Sequence, residues 1–255
     1  MSLILSPLSG VPLVSPGDDL AEILLLALDS SGAELLDGDI LVVAQKVISK
    51  AEGRLVNLKA VEPGQAARRY AEETMKDPRL IELVLSESSQ VLRTRPGTII
   101  VEHRLGFVCA NAGIDRSNVD NRGCPSDEWV LLLPEDPDAS AQRLRKALEE
   151  ATGARLGVLI IDSHGRAWRL GTVGITIGLS GLPGVVDMRG RPDLFGYRLQ
   201  ITEVGVADEL AAAASLMMGQ AAEGTPVVHV RGFPYPLREA SLGEMLRPRD
   251  KDLFR

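Results

Sequence analysis

The 255-residue sequence predicts an α+β fold, a mixture of helices and short strands, from three observations. Apolar residues recur at helical spacing in several separate stretches. Continuous β-branched runs stand at 39–44, 156–161 and 227–230, and from Val91 to Ala110 the pattern turns to brief β-rich runs broken by Pro96-Gly97 and Gly106. That last shift marks the entry to a β-rich subdomain at about 91–200 within one domain spanning 1–255.

The elements follow in order. Ser15-Pro16-Gly17-Asp18 supplies a capping hydroxyl and a proline, and Leu20, Ile23, Leu24, Ala27 and Leu28 continue at helical spacing, giving a helix that ends near Ser30 to Gly32. Asp39 to Ala44 follows a Gly38 turn signal and reads as a buried strand that delivers Gln45 and Lys46 at its far end. Helices are expected at about 63–76 and 78–87, each opened by a proline, and an amphipathic one at 138–151. Leu156 to Ile161 reads as a buried strand ending on Asp162. The glycines at 171, 174, 178, 181 and 184 point to close backbone approach. Val206 to Gln220 is an alanine-rich helix stopped by Thr225-Pro226, and Val227 to Val230 is a last strand.

Composition narrows the function classes. Apolar residues make up 45% and charged residues 25%, an ordinary globular balance. Aromatics at 4% are too few for a base-stacking platform, and a net charge of -7 opposes a polyanion surface, so no nucleic-acid partner is expected. No basic leader precedes an apolar stretch, and charge breaks each apolar run short of the roughly 18 residues a membrane span needs, so the expectation is a cytoplasmic protein with no membrane partner. Cys109 and Cys124 are too few for a disulfide scaffold. Cys109 reads as inert core, and Cys124 as an exposed thiol without an identifiable histidine partner.

Two segments carry chemistry. Cys109 to Asn118 runs from a strand into a loop dense in oxygen-bearing side chains. Asp115 there, with Asp162 at the end of its strand, forms a plausible seat for a hard cation, although the same aspartates read equally as turn caps. Gln45, Lys46, Ser49, Lys50 and Arg54 cluster after the first strand. If the chain leaves the strand as a loop or turn, the lysines four residues apart can face one anion; the alternative is a solvated basic face. There is no GxxxxGK[ST], no GxGxxG after a strand and no GxSxG, and His103, His164 and His229 are isolated, each better read as a structural histidine than as a ligand.

The segments VVAQKVISKAEGR (42–54), GFVCANAGIDRSN (106–118), IDSHGRAWRLGTVGITIG (161–178), VADELAAAASLMMGQ (206–220) and PVVHVRG (226–232), in order along the chain, resemble the coenzyme F420-0:L-glutamate ligase family. The resemblance implies a two-subdomain mixed fold that forms an interlocked homodimer. It implies a GTP-dependent ligase that extends coenzyme F420-0 with γ-linked L-glutamate, using Mg2+ or Mn2+ and K+. Carried over by motif, Asp115, Asp162, Ser163 and Gln220 match metal-site positions. Val11, Pro12, Leu13, Val14, Gln45, Lys46, Lys50, Asn118, Met217, Gly219 and Gln220 match nucleotide-site positions. Asp115, Asp162 and Lys50 are the expected catalytic set. The family also occurs fused to a nitroreductase-like flavin domain; this sequence resembles the stand-alone form, which leaves the number of glutamates open. Two other readings remain: a related metal- and nucleotide-dependent amide ligase with a different carboxylate acceptor, and a non-catalytic nucleotide-binding protein.

Overall fold

The structure is a computed structural model that describes residues 2–119 and 128–253; Cys124 lies outside them. In chain order the elements are β1 (Ile4–Pro7), α1 (Leu20–Ser30), β2 (Ile40–Ala44), α2 (Gln45–Ala51), β3 (Leu55–Asn57), α3 (Gln65–Thr74), α4 (Pro78–Ser86), β4 (Ser88–Arg95), β5 (Thr98–His103), β6 (Val108–Ala110), β7 (Trp129–Leu131), α5 (Pro137–Thr152), β8 (Gly157–Arg166), β9 (Arg169–Ser180), β10 (Val186–Asp187), β11 (Glu203–Val204), α6 (Val206–Met218) and β12 (Val227–Arg231). The mixed α+β class expected from the sequence is what the chain adopts.

A five-stranded sheet in the order β1-β12-β2-β8-β9 forms the centre, with β2 and β8 parallel and the other pairs antiparallel. Its inner strands are the continuous apolar runs of the sequence. Ile40 to Val43, Val158 to Ile160, Val227 and Val228 are fully buried, as strands covered on both faces require. A separate three-stranded sheet, β4-β5-β6, accounts for the β-rich composition of 91–110.

Several expected boundaries shift for identifiable reasons. The cap of α1 is Asp19, whose carboxylate accepts from the Ala21 and Glu22 amides; Ser15 lies upstream in a turn closed by Asp18. Gly64, not a proline, caps α3, whereas Pro78 does open α4 and Pro137 opens α5. The strand expected to end on Asp162 continues to Arg166 and folds back as β9. Its parallel partner β2 stops at the Ala44–Ile161 pair, so Asp162 lies just past the point where β8 loses its neighbour.

The glycines of β9 do what close approach demands, within the chain. A bulge opposite Ile160 and Ile161 shifts the side-chain alternation of β9 by one residue. On one side of it Gly174 lies against α6, where a Cβ would stand 2.6 Å from the Ala211 carbonyl oxygen; on the other, Gly178 lies against α5, where a Cβ would stand 2.5 Å from the Pro137 carbonyl carbon. The sheet edge at β9 is also capped: the Thr176 amide donates to Asp208 Oδ1 of α6 and the Leu179 amide to Asp138 Oδ1 of α5, at 2.9 and 2.8 Å.

Candidate functional site

At the junction of β2 and α2 the chain passes from strand to helix with no loop between them, Ala44 serving as an extended N-cap residue. The first helical turn therefore starts directly at the end of β2, and Lys46 and Lys50, four residues apart, share one face of α2. That face borders a cleft of about 610 Å³. Residues 11–14 and the Met218–Pro226 loop line other parts of it, and Asp115, Ser117, Asn118 and Val119 contribute from the loop after β6. Asp162 and Ser163 enter from the stretch of β8 that has run past the end of β2 and is paired with β9 alone.

The two aspartates converge there. Asp115 is fixed by its backbone, which exchanges two hydrogen bonds with Leu131 at 2.9 Å. Its carboxylate accepts from Gln45 Nε2 at 2.7 Å and pairs with Lys46 Nζ at 3.2 Å. Burial raises the Asp115 carboxyl above the ordinary carboxylate range, and the charge of Asp162 adds to the rise, against the opposing pull of Lys46 and Gln45. A half-buried carboxylate repelled by a second one is a place where a cation is stabilised, and the further oxygens nearby are those of Ser163 and Gln220. Among the described residues no group of three His, Cys, Asp or Glu side chains gathers to hold a metal, so a cation here draws on the two carboxylates, neutral oxygens, and water or phosphate.

Most of the expected residues lie at the cleft. Val11, Pro12, Leu13, Val14, Gln45, Lys46, Lys50, Asn118, Gly219 and Gln220 all border the cleft; Met217 does not, and its neighbour Met218 does. Gln45 is almost completely buried, with its amide spent on Asp115 and its carbonyl accepting from Ser49 Oγ at 2.8 Å. Asn118, in a left-handed conformation, donates to the Ala221 carbonyl at 3.0 Å and so ties the 115–119 loop to the 219–226 loop. Ser163 Oγ donates to Gln220 Oε1 at 2.9 Å, and Gln220 Nε2 to Ser215 Oγ at 3.0 Å. Arg54 turns away, engaged by the Leu133 carbonyl, Glu135 and Glu87.

Sequence reasoning passed over Ser117, Ser215 and Glu223. Ser117 accepts from Lys46 Nζ at 2.9 Å, and the Glu223 carboxylate accepts from the Ala221 amide at 2.7 Å at the cleft wall. Ser215 falls on the same helical face as Ala211, the face packed on Gly174, and that spacing was a usable signal. The histidines expected to be structural are buried, His229 on Asp39 at 2.8 Å and His103 and His164 both against the Phe107 ring.

Residues 10–232 match the family model described as F420-0:Gamma-glutamyl ligase. The chain is 48% identical to the coenzyme F420:L-glutamate ligase of Methanothermobacter thermautotrophicus over the full length of both proteins. It is 46% identical to the protein of the same name from Methanopyrus kandleri, over 95% of this chain and 93% of that one. For the Archaeoglobus fulgidus relative of that name the identity is 43%, over 98% and 95%.

Proposed function

The chain belongs to the F420-0:gamma-glutamyl ligase family, and from that premise we propose that it joins L-glutamate to coenzyme F420-0 through γ-linked amide bonds, with GTP as the energy source. It is a ligase that forms carbon–nitrogen bonds. The observation that supports this reading most directly is the single cleft that gathers Asp115, Asp162, Lys46 and Lys50 from three separate segments.

Amide formation from a carboxylate in water needs an activated acyl group. In the proposed sequence an acceptor carboxylate oxygen attacks the γ-phosphorus of GTP and GDP leaves. The glutamate amine then attacks the acyl carbon and phosphate departs, with the ammonium proton released. Such chemistry asks mainly for positioning and charge neutralisation. Lys46 and Lys50 offset phosphate charge from one wall of the cleft, and the loops at 11–14 and 218–226 enclose the nucleotide. Asp115, Asp162, Ser163 and Gln220 would hold Mg2+ or Mn2+, which when bound neutralises phosphate oxygens. Potassium enters the proposal through the family resemblance alone, and no residue is assigned to it.

Incubating the purified protein with F420-0, L-glutamate, GTP and Mn2+ tests the reading: the product should gain mass in glutamyl steps, with one GDP formed per step. GTP turnover with no glutamylated F420-0 would overturn the acceptor assignment, and absence of any turnover would overturn the ligase reading.

A further inference from the structure

Asp162 has a neighbour that the proposed chemistry does not use. On a strand, residues two apart face the same way, so Asp162 and His164 of β8 point to one side. Their side chains are 10% and 6% exposed, and His164 Nε2 stands 2.8 Å from Asp162 Oδ2. The carboxylate oxygen lies off the ring N–H axis, so this is a close polar contact and not a formed hydrogen bond, and neither imidazole nitrogen has a hydrogen-bond partner among the described residues. The rest of the ring meets Phe107, tilted at 56° with centroids 5.4 Å apart, and His103 also stacks on that phenyl at 5.1 Å. A buried polar ring with one polar contact, on a carboxylate that borders the cleft, is under-satisfied unless that contact serves a purpose.

Asp115 offers the comparison. There a buried amide, Gln45 Nε2, donates to one carboxylate oxygen, and Ser49 orients the amide in turn. We propose that His164 is a positioning residue for Asp162: a rotation of the ring brings its Nε2–H onto Oδ2, 2.8 Å away, so that the carboxylate presents its other oxygen to a divalent cation in the cleft. The inference rests on the metal-binding reading of Asp115 and Asp162 given above. An imidazole donates from Nε2 both in that neutral tautomer and as the cation, so the role requires no change of protonation. Partners of this kind fix the direction of a ligand oxygen, and losing one lowers metal affinity about 10- to 100-fold.

Mn2+ titrated into the full-length protein, with free metal read by electron paramagnetic resonance, supplies a test independent of turnover. His164→Phe, which keeps the ring against Phe107, should weaken Mn2+ binding about tenfold or more with little change in melting temperature, and His164→Gln, which restores a donor, should recover most of it. Wild-type affinity in His164→Phe overturns the proposal while leaving the metal site intact. No Mn2+ binding by the wild type overturns the metal reading and the proposal together. Should His164→Phe fail to fold, histidine-selective 15N spectra of the wild type decide. Protonated Nε2 and a His164 shift on adding Mg2+, absent at His103 and His229, support the role, and protonation at Nδ1 alone overturns it.

Discussion

At the scale of the residue, the charges in the cleft are held against their own preference. Asp115 is ionised at a cost, because burial and Asp162 both oppose its charge. Asp115→Asn should therefore leave stability at pH 7 unchanged or raise it by up to about 1 kcal/mol, while ligation falls at least about 100-fold. Urea unfolding and a glutamylation assay measure the two halves; destabilisation beyond that margin would make Asp115 a structural residue. Lys50 allows a sharper comparison. Lys50→Ala should weaken GDP binding by about 1.5 to 3 kcal/mol, the range for a charge-assisted hydrogen bond, whereas Lys59→Ala should change it by no more than about 0.5 kcal/mol. Lys59 is a sound control because it pairs with Glu128 and does not border the cleft. Equal GDP affinity by calorimetry in both variants and the wild type would return Lys50 to the solvated face of α2.

His103 carries a pH signature. Burial, aided by Arg104, His164 and Arg54, brings its imidazole down to about 4 from an ordinary 6.5. Between those values the unfolded chain binds a proton that the folded protein refuses, so stability falls on acidification from pH 6.5 toward 4, by roughly 3 kcal/mol at the limit. His103 Nδ1 accepts from the Leu105 amide, and asparagine can replace that local bond. His103→Asn should flatten the pH dependence across this window, and an unchanged slope in urea titrations at pH 7 and 4.5 would count against the assignment.

At the scale of the element, legibility followed local signals. The inner strands β2, β8 and β12 were readable because burial on both faces leaves an uninterrupted apolar run, and α5 because it is long, amphipathic and opened by Pro137. The immediate start of α2 was not readable: it has no side-chain cap, and the chain passes from β2 into it with no loop. For the same reason, the lysine pair read as either loop or solvated face from sequence is in fact one helical face. Nor was the continuation of β8 past Asp162 visible, since its outer half is polar and held by β9 rather than by burial. The cleft's carboxylates were legible as oxygen-rich strand ends, but the Gln45 contact joins residues 70 apart in sequence. The glycines give the element-scale prediction. Gly178→Ala should destabilise by about 1 to 3 kcal/mol through overpacking on Pro137, while Gly165→Ala, with open space around it, should stay within about 0.5 kcal/mol. Equal thermal stability of the two variants would mean that α5 yields at no cost.

At the scale of the whole molecule, one part of the chain stands out from the packed body. Between β10 and β11, residues 188–202 turn through a Pro192–Arg198 bridge and expose Leu194, Phe195 and Ile201 at 97%, 95% and 87%. Apolar side chains gathered on one segment favour burial against another surface, and we propose on that ground the homodimer that the family resemblance implies. Light scattering at micromolar concentration should report twice the 27.4 kDa chain mass, and Phe195→Asp with Leu194→Asp should shift it to the monomer. A monomeric wild type would remove the proposal.

The capped edge of β9 decides how such an assembly can be made. A foreign strand approaching the sheet there would find the Thr176 and Leu179 amides already satisfied by Asp208 and Asp138. Runaway stacking of one sheet onto the next is thereby disfavoured on that side, even though the inner strands are as apolar as those of fibre-forming segments. Self-association through β9 would first have to unseat the opening turns of two helices, so that edge is guarded against the addition of further copies, and the expected homodimer would have to form elsewhere on the surface.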